Sequence, residues 1–362
     1  MQRRNFLRGL GAGSVALGAG AVSTRTFAKA EHKWKMVTTW PKNFPGLGTT
    51  ANRVGQLIES MSDGRIRVKV YGAGELVPPF ETFDACSRGT VELGHGSAYY
   101  WKGKVESAQF FSTVPFGLTA QEMGAWLEFG GGMELWRELY TGFGLVPIAA
   151  GNSTVQMAGW FNREINSLAD LSGLKMRIPG LGGEVLQRAG GTPVNLPGGE
   201  LFTALKSGTI DATEWVGPYN DLAFGLHKAA KYYYYPGWHE PGTAMELIVN
   251  KAAWDALPDD LKAIVEGACA IANQRMIEEY TARNNAALET LVNEHHVDVR
   301  RLPDDVLKKL HALSLEVVAE LANKDEFSRR VFASYEKFRK QVMRWSELSD
   351  RAYLNARAAT AI

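Results

Sequence analysis

Over residues 33–38 apolar and polar positions alternate around Trp34, Met36 and Thr38, which predicts a strand. The period then becomes helical over 49–61, where Val54, Leu57, Ile58 and Met61 share a face. Residues 66–70 return to strict alternation, closed by Gly72 and Gly74. A helix over 80–88, a short strand over 91–93 and a longer helix over 122–140, built on Met123, Trp126, Leu127, Leu135 and Leu139, continue the alternation. Strands and helices in this order predict an α/β lobe with a largely parallel sheet.

A second set begins at 145–148 and adds strands at 156–161, 175–178, 192–195 and 209–215, with helices at 182–189 and 202–206 between them. This is a second α/β lobe. Residues 246–250 return as a strand, and Pro258 opens a long helix that keeps Leu261, Ile264, Val265, Ala268, Ile271, Ala272 and Met276 on one face. It runs past Leu288 and suits a spine between the lobes. In the tail, Val331, Tyr335, Phe338, Val342, Trp345 and Ala352 fall on four-and-three steps interrupted only by Ser349, an apolar seam that needs a partner surface. Its own body and a second copy of the chain both qualify. The expected organisation is a leader at 1–30, one lobe from 31–153 with 245–285, another from 154–244 with 286–325, and a terminal helix over 326–362.

The leader is an address before it is structure. Arg3-Arg4 followed by Phe6-Leu7, a weakly apolar run over 10–22 and a small-x-small site at Ala28-Lys29-Ala30 resemble a twin-arginine export signal. Its removal takes away Arg3, Arg4, Arg8, Arg25 and Lys29 and no acid, so the formal charge of +1 becomes mildly negative. That balance gives no reason to expect nucleic acid as a partner. No later segment has the length and apolarity of a membrane span, so a soluble periplasmic product is expected. The full 362 residues, 45% hydrophobic, suit about two domains of ~150 residues. Cys86 and Cys269 both lie in helical apolar surroundings, which favours two separate buried thiols over a disulfide.

Chemistry is first narrowed by what is missing: no GxGxxG, no GxxxxGK, no CxxC and no HExxH, hence no cradle for an organic cofactor and no usual zinc-hydrolase signature. What stands out is aromatic and acidic. Tyr99-Tyr100-Trp101 follows a first-lobe strand, Glu214-Trp215 precedes a Gly217-Pro218 turn, and Tyr232 to Tyr235 leads into Pro236-Gly237-Trp238-His239-Glu240. Open α/β sheets bind ligands at the C-terminal ends of their strands, where these runs are placed.

Six ordered motifs then carry a resemblance: Gly72-Ala73-Gly74-Glu75-Leu76-Val77-Pro78, Gly151-Asn152-Ser153-Thr154-Val155-Gln156-Met157, Gly159-Trp160-Phe161, Gly173-Leu174-Lys175-Met176-Arg177, Gly208 through Pro218, and Tyr232 through Trp238. With them the chain resembles the extracytoplasmic solute receptors of tripartite ATP-independent periplasmic (TRAP) transporters, the DctP-like family, and within it the branch that binds 2-oxo acids such as pyruvate. The resemblance implies the two-lobed periplasmic binding protein fold, α/β in class, with a spine helix and an extra C-terminal helix that makes a homodimer. It also implies membrane permease subunits as partners and a small organic acid as ligand. Arg177 matches a carboxylate-binding arginine, whose planar fork gives two parallel hydrogen bonds. Gln156, Glu214 and the carbonyl of Trp215 match a cation site that also touches the ligand. Their all-oxygen donors suit Na⁺ or Ca²⁺; one carboxylate among neutral oxygens favours Na⁺, and involvement of Glu240 would favour Ca²⁺. Tyr100 and Glu240 match further ligand contacts, while His239 departs from the branch, which carries a second aromatic there. An exported enzyme using Glu214 or Glu240 as a base, and a sensor-linked receptor on the same scaffold, are the competing readings; the first lacks a positioned nucleophile.

Overall fold

The structure, a computed structural model, describes residues 31–360, so the twin-arginine leader lies outside the described residues. Strand β1 (His32–Thr38) is followed by helix α1 (Leu47–Met61) and strand β2 (Ile66–Tyr71), and the strands pair in parallel with Trp34 opposite Val68. Alternation turns Met36 and Ile66 inward, onto Ala51, Val54 and Ile58 of α1. After α2 (Thr82–Ser87), β3 (Leu93–Gly96) lies slightly later than the expected 91–93. The long helix expected over 122–140 is two, α3 (Ala120–Phe129) and α4 (Gly132–Thr141). Gly131 separates them at φ 87, a left-handed turn that stops the first helix. Strand β4 (Leu145–Asn152) completes the forward run of the first lobe.

The second lobe supplies β5 (Gly159–Phe161), β6 (Lys175–Arg177), helix α5 (Gly180–Arg188), β7 (Thr192–Val194), helix α6 (Leu201–Lys206), β8 (Ala212–Thr213), helix α7 (Pro218–Phe224) and β9 (Tyr232–Tyr235). Both β5 and β8 are shorter than expected: the residues before β5 and after β8 leave the sheet toward the cleft, and Ile210, whose N donates to the Ala204 carbonyl, belongs to the turn after α6. Then β10 (Ala244–Asn250) returns to the first lobe, α8 (Lys251–Asp255) and α9 (Asp259–Asn293) follow, β11 (Asp298–Arg301) rejoins the second sheet, and α10 (Asp304–Asn323), α11 (Glu326–Leu348) and α12 (Asp350–Thr360) finish the chain.

Two sheets result, ordered β2-β1-β3-β10-β4 and β11-β9-β5-β8-β6-β7. Neither is as parallel as the alternation suggests. β10 enters from the other lobe without a crossover helix and pairs antiparallel with β3 and β4, and β5 is antiparallel to β8 and β9. The spine helix is present, α9 having 35 residues and spanning about 50 Å, but Ile271, expected on its buried face, is 37% exposed. Its Leu261, Val265, Ala268 and Cys269 enter the first-lobe core, whereas Met276, Tyr280 and Leu291 join a cluster holding Trp40, Trp160 and Trp215. Cys86 and Cys269 are separate, buried, free thiols.

The tail differs from a single seam. It breaks at Ser349, and only its first turns are covered: Val331 and Tyr335 are buried, with the Tyr335 hydroxyl accepting from Leu118 N at 3.0 Å and its ring edge-on to Trp126 at 5.1 Å. Phe338 and Val342 are partly covered by the same core, but Trp345 remains 67% exposed and Tyr353 65%. The seam therefore divides between the chain's own body and solvent.

Candidate functional site

Two adjacent parallel strands bring the central pair together. β6 ends in Arg177, which lies beside Thr213 of β8, and Glu214 N donates to the Arg177 carbonyl at 3.2 Å. Both side chains are buried and the Arg177 guanidinium contacts a Glu214 oxygen directly. Its Nε donates to the Leu196 carbonyl at 3.0 Å and Nη2 to the Tyr100 hydroxyl at 3.3 Å, while the Trp215 ring lies 5.2 Å from Cζ. Three of its N–H groups are thus engaged, and two remain for a ligand. Burial works against the Arg177 charge, yet Glu214 and the nearby tyrosines hold its pKa above the ordinary value. Tyr100 comes from the opposite lobe, on the 3-10 turn Ala98–Trp101 that follows β3.

A second pair rests against the first. Where the chain crosses between sheets after β4, Thr154 takes φ 60, an unusual conformation for a β-branched residue that costs about 1–3 kcal/mol and presents Gln156 to the cleft. Gly237 N donates to the Gln156 carbonyl at 3.0 Å, and a Cβ on Gly237 would stand 2.1 Å from that oxygen, so only glycine fits. Gln156 Nε2 donates to Glu240 Oε2 at 2.7 Å and Ser153 Oγ at 2.9 Å, and Thr243 Oγ1 donates to the same Glu240 oxygen at 2.6 Å. Burial pushes the Glu240 carboxyl up to about 8, and repulsion from Glu214 adds to the rise. Met157 N, donating to the Val216 carbonyl at 2.9 Å, ties the two halves of the floor.

Several buried atoms here have no hydrogen-bond partner among the described residues: Gln156 Oε1, Glu214 Oε2 and both ring nitrogens of His239. Such atoms cost roughly 1–3 kcal/mol each unless something meets them. Gln156 Oε1 and Glu214 Oε2 are hard oxygen donors, one neutral and one anionic, so this floor fits a cation.

The first lobe closes the site with aromatic rings. Trp40 Nε1 donates to His95 Nδ1 at 2.8 Å, and burial pushes His95 down to about 4, which keeps the ring neutral and that nitrogen an acceptor. So held, Trp40 lies 6.0 Å from the Tyr100 ring and 6.2 Å from Trp215. At the rim Lys102 reaches Glu184 of the other lobe at 3.1 Å.

All six residues singled out in the sequence, Tyr100, Gln156, Arg177, Glu214, Trp215 and Glu240, come to this one cleft. Sequence reasoning missed Ser153, Thr243 and Trp40. The three-residue spacings from Ser153 to Gln156 and from Glu240 to Thr243 were the available signal, a weak one without the loop geometry.

A family model for bacterial extracellular solute-binding proteins, family 7, matches residues 36–325. A monocarboxylate 2-oxoacid-binding periplasmic protein of a Nostoc species is 42% identical over 328 residues, covering 89% of this chain and 88% of its own length. A TRAP periplasmic solute binding protein from Pseudoalteromonas atlantica, solved with sodium and pyruvate, superposes with TM-score 0.87 at 42% identity, over 90% of this chain and 99% of that one. Another from Bordetella bronchiseptica, a mixed-occupancy dimer with calcium and picolinate, gives 0.89 at 37% identity, over 91% and 98%.

Proposed function

This chain belongs to the bacterial extracellular solute-binding proteins of family 7, receptors of transporters and not enzymes, and on that premise we propose that it captures a small 2-oxo or 2-hydroxy monocarboxylate of the pyruvate type for a TRAP permease. The observation that supports this reading is the buried Arg177–Glu214 pair, whose guanidinium keeps two free N–H groups while Glu214 Oε2 stays unpartnered. Arg177 receives the ligand carboxylate. Gln156, Glu214 and the Trp215 carbonyl would hold a cation, which supplies an electrophilic point for one carboxylate oxygen and the 2-oxygen of the acid. Tyr100 and Glu240 complete the ligand's surroundings, and plain fatty acids, lacking the second oxygen, are discriminated against. The relatives described above carry sodium with pyruvate and calcium with picolinate, each acid bearing a donor atom beside its carboxylate. A lone carboxylate among neutral oxygens favours Na⁺ here.

The two sheets, with boundaries near 31–153 plus 245–285 and 154–244 plus 286–325, act as lobes that close by hinge motion. The leader sends the chain through the twin-arginine route, and no helix among the described residues is long and apolar enough to cross a membrane. The exposed distal part of the tail, with Trp345 and Tyr353, supports a homodimer through α11 and α12.

Calorimetric titration of pyruvate into chelator-stripped protein tests the ligand reading. Binding is expected with Na⁺ or Ca²⁺ and is expected to disappear in choline buffer; equal affinity without metal cations overturns it. Replacing both Arg3 and Arg4 by Lys should strand the precursor in the cytoplasm, and light scattering before and after deletion of 349–362 reads the dimer.

A further inference from the structure

Asn220 is a fully buried amide that takes no part in the chemistry of the cleft. It lies in the first turn of α7, where asparagine commonly caps the helix it opens, yet no side chain caps α7. Its hydrogen bonds leave the second lobe instead. Nδ2 donates to the Pro45 carbonyl of the first lobe at 2.7 Å, and Oδ1 accepts from the Tyr280 hydroxyl on the spine helix at 2.5 Å. The first-lobe end of this contact is stiff. Residues 40–46 carry two prolines, which fix φ, and Asn43 and Gly46 adopt φ 57 and 69. Phe44 N donates to the Pro41 carbonyl at 3.1 Å, and Asn52 of α1 donates to Asn43 Oδ1 at 2.8 Å, so the loop is tied to its own lobe. A Cβ on Gly46 would stand 2.4 Å from the Tyr280 hydroxyl oxygen, which shows how closely the loop is seated on the spine. One end of this loop is Trp40, whose ring walls the cleft beside Tyr100 and Trp215; the other is Pro45, held by Asn220.

We propose that Asn220 is a positioning residue for ligand capture: with Tyr280 it clasps the 40–46 loop to the second lobe, holds the lobes closed over the acid and sets how fast the ligand leaves. The inference rests on the receptor reading above and deepens it, from the groups that touch the acid to what keeps it enclosed. Parting of the lobes breaks the bond to Pro45 and uncovers the amide. A bond made only in the closed state lowers the energy of that state alone, so it shifts the population toward closure and raises apparent affinity without touching the ligand. Ligand enters the open form, where the clasp is undone. The clasp therefore acts on departure and leaves arrival unchanged.

The test uses Asn220→Leu combined with Tyr280→Phe, which removes both polar ends of the spine contact, keeps the packed volume and leaves the Pro45 carbonyl its bond from Leu47 N. Release of radiolabelled pyruvate in sodium buffer gives the dissociation rate, and calorimetry gives Kd. Both should rise together by roughly fivefold or more, the loss of one ordinary hydrogen bond, with the association rate within about twofold of wild type. A merely structural role would lower the urea midpoint and leave the dissociation rate alone. An unchanged dissociation rate overturns the proposal, as does a loss of affinity carried by association. If the variant does not fold, hydrogen exchange of wild type decides: the amides of Phe44, Leu47 and Thr49 should gain protection on binding pyruvate with Na⁺, and equal exchange overturns the clasp. If wild type takes up no pyruvate with Na⁺ or Ca²⁺, the receptor reading falls by itself. The clasp is then read from X-ray scattering of the ligand-free proteins, where the variant should have the larger radius of gyration and equal radii overturn it.

Discussion

Glu214 and Asp221 are buried carboxylates seven residues apart, one on the cleft floor and one behind it. Asp221 is closed on all sides: Oδ2 accepts from Trp160 Nε1 at 3.0 Å and from the Tyr233 hydroxyl at 2.7 Å, and Oδ1 accepts from Val216 N at 3.4 Å. Every donor belongs to its own lobe, and even so burial pushes the group up to about 7. Glu214 has one oxygen on Arg177 and the other unpartnered, facing the cleft. The same chemical group therefore serves as an internal brace where its hydrogen bonds are complete and as a receptor where one is left open. Satisfaction, more than burial, separates the two.

Breaking the open site has the largest expected effect. Arg177→Met should weaken 2-oxo acid binding ~30-fold or more, as loss of a desolvated charge pair costs about 2–5 kcal/mol. It should also lower folding stability by about 3–5 kcal/mol by leaving Glu214 buried without its counter-charge. Calorimetry and urea unfolding read the two losses, and wild-type values in both would dissolve the contrast.

A third acid sharpens it. Glu246 in β10 accepts from Trp101 Nε1 at 2.5 Å and the Tyr140 hydroxyl at 3.2 Å, but its second oxygen has no partner, and burial pushes it from an ordinary 4.5 up to about 7. The folded state keeps a proton that the unfolded chain releases, so the contribution of Glu246 to stability should fall as pH rises from about 4.5 to about 7 and stay constant above that. At ~1.4 kcal/mol per pKa unit this amounts to roughly 3 kcal/mol. Urea midpoints across that window should lose this component of the slope in Glu246→Gln; an unaltered slope would count against it.

Breaking the brace comes next. Asp221→Asn turns an amide N–H₂ toward a ring of donors, and about 1–3 kcal/mol of stability should go with it. Pyruvate affinity should move less than ~threefold; a larger change would mean that the brace reaches the ligand. Least of all, Lys102→Ala removes a half-exposed pair across the rim and should change affinity less than ~fivefold, less still at high salt.

Much of this was readable in the residues. The alternation of β2 and the apolar positions of α9 leave marks in sequence and locate the lobes, whereas Arg177 and Glu214 take their roles from the resemblance of their motifs to the solute-receptor family. What stayed hidden depends on long-range contact. β11 is Asp-Val-Arg-Arg, without any apolar alternation, and becomes a strand only because β9 lies beside it. The 122–140 helix looks continuous because its apolar spacing outweighs the three consecutive glycines Gly130, Gly131 and Gly132, whereas the backbone turns left-handed at Gly131. His239 could be noticed as a departure, but only the fold places it against Glu214.

The ring contacts across the cleft have one more consequence. Trp40 belongs to the first lobe and Trp215 to the second, and their rings meet edge-on at 6.2 Å and 74°, with Phe44 stacked on Phe224 at 4.2 Å alongside. Fixed asymmetric packing of this kind is what near-ultraviolet dichroism records. Any parting of the lobes separates the two indoles, so the protein carries its own optical gauge of cleft width, legible in native protein without a dye or an introduced cysteine.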